Sequence, residues 1–155
     1  MKRLCVLQRP LRSWERGSDE DGSLSDFDTV DKAVSGCDIV FHCAYDPSSQ
    51  KNNLDGINNL SSSCIKSNAR LVHVSTISVF EPLPDLVLSE KSLKNPKGFQ
   101  YAERKFEIEQ LVLDLTNRTE LKATVVQPTI VYGPFSAPWT MRPVNQLLNG
   151  TIVLP

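Results

Sequence analysis

Short apolar runs alternate with amphipathic stretches along this chain, and that alternation limits the possible folds more than any other feature. Asp38 to Cys43, Arg70 to Ser75 and Lys122 to Gln127 are brief runs rich in valine, isoleucine and other apolar side chains. Runs this short, apolar on both faces, predict strands buried in a parallel sheet. Lys2 to Leu7 predicts a further strand. Asp26 to Ser35 predicts a short helix with Phe27, Val30 and Val34 inward, stopped by Gly36. Asn52 to Ser67 carries Leu54, Ile57, Leu60, Cys64 and Ile65 on one stripe. The stretch from Tyr101 repeats its apolar residues at Phe106, Leu111, Val112 and Leu115, again with helical spacing. Strands that alternate with helices need crossover connections, so the chain is predicted to form an α/β fold with a parallel sheet.

The rest of the sequence supports one ordinary domain. The 155 residues suffice to bury a core, with 40% hydrophobic residues and a formal net charge of −1. That near-neutral balance offers no electrostatic reason to expect nucleic acid as a partner. No apolar run reaches the length of a membrane span, and Gln8, Arg9 and Arg12 interrupt any signal-peptide core. Cys5, Cys37, Cys43 and Cys64 form no CxxC pair, and Cys5 and Cys43 sit within apolar runs. Reduced, buried thiols in a cytoplasmic protein are therefore expected. His42 and His73 lie in strand-like runs and supply no metal-ligand cluster, so no metal is expected. Gln8 to Ser25 reads as a polar loop, and Glu81 to Gly98 as a long proline-bearing connection of the kind that often carries function.

Ligands of open α/β sheets bind beyond the carboxyl ends of the strands. Three segments would meet there. Leu71 to Ser75 leads into Thr76, Ala123 to Gln127 leads into Pro128, and the third helix begins near Tyr101. Tyr101 and Lys105 stand four apart, on one helix face. A neighbouring ammonium favours the phenolate, so Lys105 is expected to lower the Tyr101 pKa and fit it for proton transfer.

These motifs resemble the extended short-chain dehydrogenase/reductases, the NAD-dependent epimerase/dehydratase group. The resemblance is carried by Asp38 to Ala44, Asn53 to Leu60, Val74 to Phe80, Tyr101 to Lys105 and Gln127 to Pro134, in family order and with family-like spacing. It covers most of the chain from about Phe27 onward, and it implies a Rossmann-type, doubly wound parallel sheet that is incomplete. It implies hydride transfer at a hydroxyl- or carbonyl-bearing carbon, with Tyr101 as proton-transfer group, Thr76 holding the substrate oxygen and Lys105 assisting Tyr101. It implies that Arg9, Leu24, Cys43, Ala44, Tyr45, Asn53, Val74, Tyr101, Lys105, Pro128, Ile130 and Val131 line an NAD or NADP site. Asn53 also reads simply as a helix cap, and Thr76 as a strand-end residue satisfying backbone groups. The substrate implied is a small molecule, typically a nucleotide sugar, with hydroxysteroid-like and flavonoid-like carbonyls open. Epimerase, dehydratase and reductase share the first step, and a homodimer of the full-length enzyme is compatible with the resemblance.

The chain departs from the family pattern in two places. It has no GxxGxxG turn, the device that holds a dinucleotide pyrophosphate at a helix N-terminus. It also stops at Pro155, where family members run on into a substrate region. Residues 1–155 therefore read as a partial NAD(P)-binding domain, incomplete at its first βα unit, with the substrate region starting after about residue 134. Met1 to Pro10 resembles the family's second strand, with Arg9 at its end. An acidic residue there would accept from a ribose hydroxyl, while an arginine accommodates a 2′-phosphate, so Arg9 favours NADP over NAD. The rival reading is a non-catalytic binding or regulatory protein on the same fold, or an inactive fragment. Without the glycine turn, the 155 residues alone are expected to bind NAD(P) poorly or not at all. Isothermal titration with NADH and NADPH checks this, and micromolar binding would contradict it.

Overall fold

The computed structural model describes residues 4–7, 22–81, 87–134 and 136–151. Four strands form one parallel sheet: β1 (Leu4–Leu7), β2 (Ile39–His42), β3 (Arg70–Val74) and β4 (Lys122–Val126), paired in that order. Cys5 pairs with Val40, Val40 with Leu71, and Leu71 with Ala123, so one apolar row crosses the whole sheet. Three helices connect the strands: α1 (Phe27–Val34), α2 (Gln50–Lys66) and α3 (Gln100–Arg118).

The α/β fold with a parallel sheet is as the alternation predicts, and so is each helix to within a few residues. One placement differs. Leu4–Leu7 pairs directly with β2, the strand that resembles the family's fourth. In the doubly wound order the fourth strand borders the first, not the second. The segment therefore occupies the first strand's position, and the match to the second strand is corrected. The argument from Arg9 to NADP loses its premise, and Arg9 itself lies outside the described residues.

Local sequence explains where the helices start and stop. Asp26 caps α1, its carboxylate accepting from the Asp28 amide at 3.1 Å and the Thr29 hydroxyl at 2.8 Å. Ser49 caps α2, its hydroxyl accepting from the Asn52 amide at 3.2 Å. Beyond α2, Asn68 takes φ 53°, and the Ala69 amide returns to the Cys64 carbonyl at 2.8 Å. Asparagine tolerates that left-handed turn better than most side chains.

All three helices pack on the sheet face that carries Cys5, Val40 and Leu71. Val34, Ile57, Leu60 and Val112 are completely buried there. Each such side chain contributes about 1.5–3 kcal/mol through burial. Phe27, expected inward, is 40% exposed although it shares the stripe of Val30 and Val34, because it occupies the first residue of α1. Among the described residues the other sheet face is open, with Leu4 and Val6 more than half exposed. A π-helical turn (Ala137–Met141) and α4 (Arg142–Leu148) pack on each other and add no residue to the core.

Gly56 lets α2 approach the Leu24 segment closely. A Cβ there would stand 2.8 Å from Leu24 Cβ, and Asn59 Nδ2 fastens the Leu24 carbonyl at 3.0 Å. Gly56→Ala thus sets a helix-propensity gain of about 1 kcal/mol against overpacking strain of about 1–3 kcal/mol. Strain wins, and urea unfolding should report a net loss of about 1 kcal/mol. A stabilised variant would show that Leu24 does not sit against the helix.

Candidate active site

The carboxyl ends of β2, β3 and β4 open towards the N-terminal half of α3, and the predicted residues fall into that region unequally. Thr76 follows β3 and is buried. Its hydroxyl accepts from the Ser78 amide at 3.2 Å and lies 3.3 Å from the Ser78 hydroxyl, capping a short 3-10 turn (Ile77–Val79). The Ser75 amide donates to the Val126 carbonyl at 2.8 Å and the Ile77 amide to the Pro128 carbonyl at 3.0 Å. Thr76 is therefore held between two main-chain bonds that carry the β3–β4 pairing past the strand ends and bring the Pro128 segment alongside.

Tyr101 lies in the first turn of α3 and is 38% exposed. Its ring meets Tyr45 edge-on at 5.3 Å between centroids, and Phe99 lies at 5.8 Å. Burial pushes the Tyr101 phenol above its ordinary pKa, Tyr45 adds to that, and a hydrogen bond with the Thr76 side chain pulls it back. The Thr76 side chain thus lies near enough to influence the phenol, while its hydroxyl is bonded to Ser78. The expected lowering by Lys105 is corrected: the net direction is upward, and Lys105 is not among its causes. Lys105, one turn on, is almost fully buried and donates to the Val74 carbonyl at 2.6 Å. Its ammonium also stands 5.6 Å above the Tyr45 ring. Burial lowers its pKa to about 8, with Cys43 and then Glu109 opposing that fall.

The loop after β2 supplies Cys43, Ala44 and Tyr45. Cys43 is exposed rather than buried, since β2 ends one residue earlier, while the other three cysteines are buried. Asn53 neither caps α2 nor points free. Its Oδ1 accepts from the Asp46 amide at 2.7 Å and its Nδ2 donates to the Asp46 carbonyl at 2.8 Å, so it braces this loop. Arg104 holds the same loop from α3 by donating to the Pro47 carbonyl at 2.6 Å. Leu24 packs instead against the core beside α2. Ile130 and Val131 are more than half exposed. An open cleft of about 250 Å³ adjoins the site between Ile77, Phe80, Glu90 and Gln127.

Sequence reasoning missed a buried polar cluster. Glu109, two turns after Tyr101, is completely buried. It accepts from the Ser75 hydroxyl at 2.6 Å and from Gln127 Nε2 at 3.0 Å on both oxygens, and it pairs with Lys94. The available signal was a carboxylate four residues beyond Lys105, on the same stripe as Val112.

His42 and His73 form a second buried pair. Their Nδ1 atoms lie 2.9 Å apart and the rings stack at 5.1 Å. One ring donates and the other accepts, and burial keeps both neutral. Burial is the main cause that lowers both pKa values, His42 to about 3, with Lys105 adding to it. An unfolded histidine titrates near 6.5. Below that pH the unfolded chain takes up protons that the folded chain refuses. Stability is therefore full above about pH 6.5 and falls towards pH 3, by on the order of 2 kcal/mol per pH unit for two histidines. Urea unfolding at pH 7, 6 and 5 measures the slope, and a flat profile would contradict a neutral buried pair.

Residues 5–151 match the model of the NAD dependent epimerase/dehydratase family. The chain is 29% identical over 140 residues to a 3beta-hydroxysteroid-dehydrogenase/decarboxylase isoform 2 of Arabidopsis thaliana, covering 83% of this chain and 25% of that protein. The dTDP-glucose 4,6-dehydratase DesIV of Streptomyces venezuelae superposes with a TM-score of 0.72 at 22% identity, over 83% of this chain and 44% of that one. A UDP-N-acetylglucosamine 4-epimerase of Methanobrevibacter ruminantium gives a TM-score of 0.66 at 25% identity, over 83% and 46%. The chain thus spans a quarter of the plant relative's length and under half of either solved chain. The family match extends over nearly all of the residues that build the sheet and its carboxyl edge, and the chain belongs to the NAD-dependent epimerase/dehydratase family.

Proposed function

We propose that this chain carries the proton-transfer centre of an NAD-dependent epimerase, dehydratase or reductase acting at a hydroxyl- or carbonyl-bearing carbon. The observation that supports it is the meeting of Thr76 and Tyr101 at the carboxyl edge of the sheet, with Lys105 one turn further along the same helix. NAD, when bound, supplies the hydride acceptor and donor. The chain's own residues do the rest. Thr76 fixes the substrate oxygen by a hydrogen bond, and the Tyr101 oxygen gives that oxygen a proton or takes one from it. Because burial keeps Tyr101 a neutral phenol near neutral pH, its resting bias is towards donating a proton to a carbonyl as it is reduced.

The residues present fit the nicotinamide end of the cofactor. An ammonium has three N–H donors, and the Val74 carbonyl takes one. The others suit ribose hydroxyls and the Tyr101 oxygen. The half-buried Tyr45 and the exposed Ile130 and Val131 offer apolar surface nearby. For the pyrophosphate, no glycine-rich turn occurs among the described residues. NAD is proposed on the family's printed name, and NADP has no separate support once the β1 segment takes the first strand's place.

For the substrate we propose a nucleotide sugar, on the dTDP-glucose dehydratase and UDP-N-acetylglucosamine epimerase likenesses. A 3β-hydroxysteroid is the second reading, favoured by the plant relative. A cytoplasmic setting is proposed on the four free thiols.

The test replaces the segment through β1 with a glycine-rich βα unit from a family member. It then follows turnover of dTDP-glucose, UDP-N-acetylglucosamine and a 3β-hydroxysteroid with NAD by mass spectrometry. Turnover of one class identifies the substrate. Tyr101→Phe keeps the ring and removes the proton, and should lower turnover by roughly 10²-fold or more. Unchanged turnover in the Phe variant would remove Tyr101 from the mechanism.

A further inference from the structure

Lys105 and Glu109 sit on successive turns of α3, both buried, and neither is explained by packing. Lys105 reaches a carbonyl but makes no ion pair within contact distance among the described residues. A buried ammonium without an anion is costly. Of the groups that face it, Cys43 and then Glu109 favour its charge, and the others do not. From β2 and its loop come His42, Cys43 and Tyr45, and from β3 comes His73, with both histidines neutral. Tyr101 on its own helix is a phenol. The acidic group on its own helix stripe is Glu109.

Glu109 has a partner on each of its carboxylate oxygens. A carboxylate accepts hydrogen bonds at up to four lone-pair sites, and here it takes one from Ser75, two from Gln127 and an ion pair from Lys94. Every partner is next to something the site uses. Ser75 precedes Thr76, and Gln127 precedes Pro128. Lys94 belongs to the connection that enters α3, which is stitched back by the Glu81 amide donating to the Leu93 carbonyl at 3.1 Å. The carboxylate therefore ties the ends of β3 and β4 and the incoming connection to the helix that bears Tyr101 and Lys105.

We infer that Glu109 is a positioning residue, whose buried carboxylate keeps Lys105 an ammonium and fixes the Thr76 and Pro128 segments against α3. The inference rests on the catalytic reading of Thr76, Tyr101 and Lys105, but its electrostatic half is measurable without turnover.

The measurement is the titration of Lys105 Nζ by nitrogen-15 NMR in the 155-residue chain. Lys105 should titrate near pH 8. In Glu109→Gln the midpoint should fall by about one pH unit or more, and Glu109→Asp, which keeps the charge, should restore most of the shift. A Lys105 midpoint unmoved by Glu109→Gln would overturn the inference. Failure of both variants to fold would mark a purely structural role and overturn it too. Tyr101→Phe inactivity tests the catalytic reading separately, so the two can fail independently.

Discussion

A buried carboxylate on α3 organises the carboxyl edge of this sheet. Glu109 has no exposed surface, yet it bonds to the ends of two strands and to the connection that leads into its own helix. An unpaired carboxylate in that position would cost several kcal/mol. The cost is offset only when Ser75, Gln127 and Lys94 are all in place, so the polar cluster admits one arrangement of the segments around it. Thr76 and the Pro128 segment inherit that arrangement because they adjoin Ser75 and Gln127. An apolar core alone would tolerate a helix shifted by a fraction of a turn. This cluster does not.

The apolar half of the structure follows from simpler rules. Parallel strands buried beneath helices need unbroken apolar runs, and β2 and β3 satisfy that requirement on the helix-covered face with Val40 and Leu71 fully buried. The polar exceptions on that same face are His42 and His73, which pair with each other at the strand ends nearest the site. Placing neutral imidazoles there leaves Lys105 as the cation of that interior and separates it from the apolar core below.

Much of this was legible in the residues. Periodicity located α1 to α3 and the four strands, though not α4, because the apolar stripes of α2 and the short runs of β2 to β4 are strong signals over several turns or residues. The order Thr76, Tyr101, Lys105 pointed to one edge of the sheet because parallel strands all end there. What remained hidden was tertiary. Phe27 has the period of an inward residue, but a helix's first position need not face the core. Cys43 looked like strand interior, yet the strand ends at His42. Whether Met1 to Pro10 filled the first or second strand position could not be read from a short apolar run, since both are buried strands of similar composition. Glu109 and Lys94 were not singled out, because their burial depends on partners from distant segments. The direction of the Tyr101 shift was misjudged for the same reason. Spacing on the helix put Lys105 near the phenol, but the ammonium turns to the Val74 carbonyl and the Tyr45 ring, leaving burial as the larger influence.

The central claim is that the Thr76 hydroxyl and the Tyr101 phenol meet at the carboxyl edge. Titration of Tyr101 followed by carbon-13 NMR of its ζ carbon, in the wild-type chain and in Thr76→Ala, tests that meeting without requiring turnover. The account predicts a wild-type midpoint above the ordinary tyrosine value and a further rise in Thr76→Ala, because the threonine's hydrogen bond pulls the phenol down. A Tyr101 midpoint that ignores the loss of the Thr76 hydroxyl would contradict it.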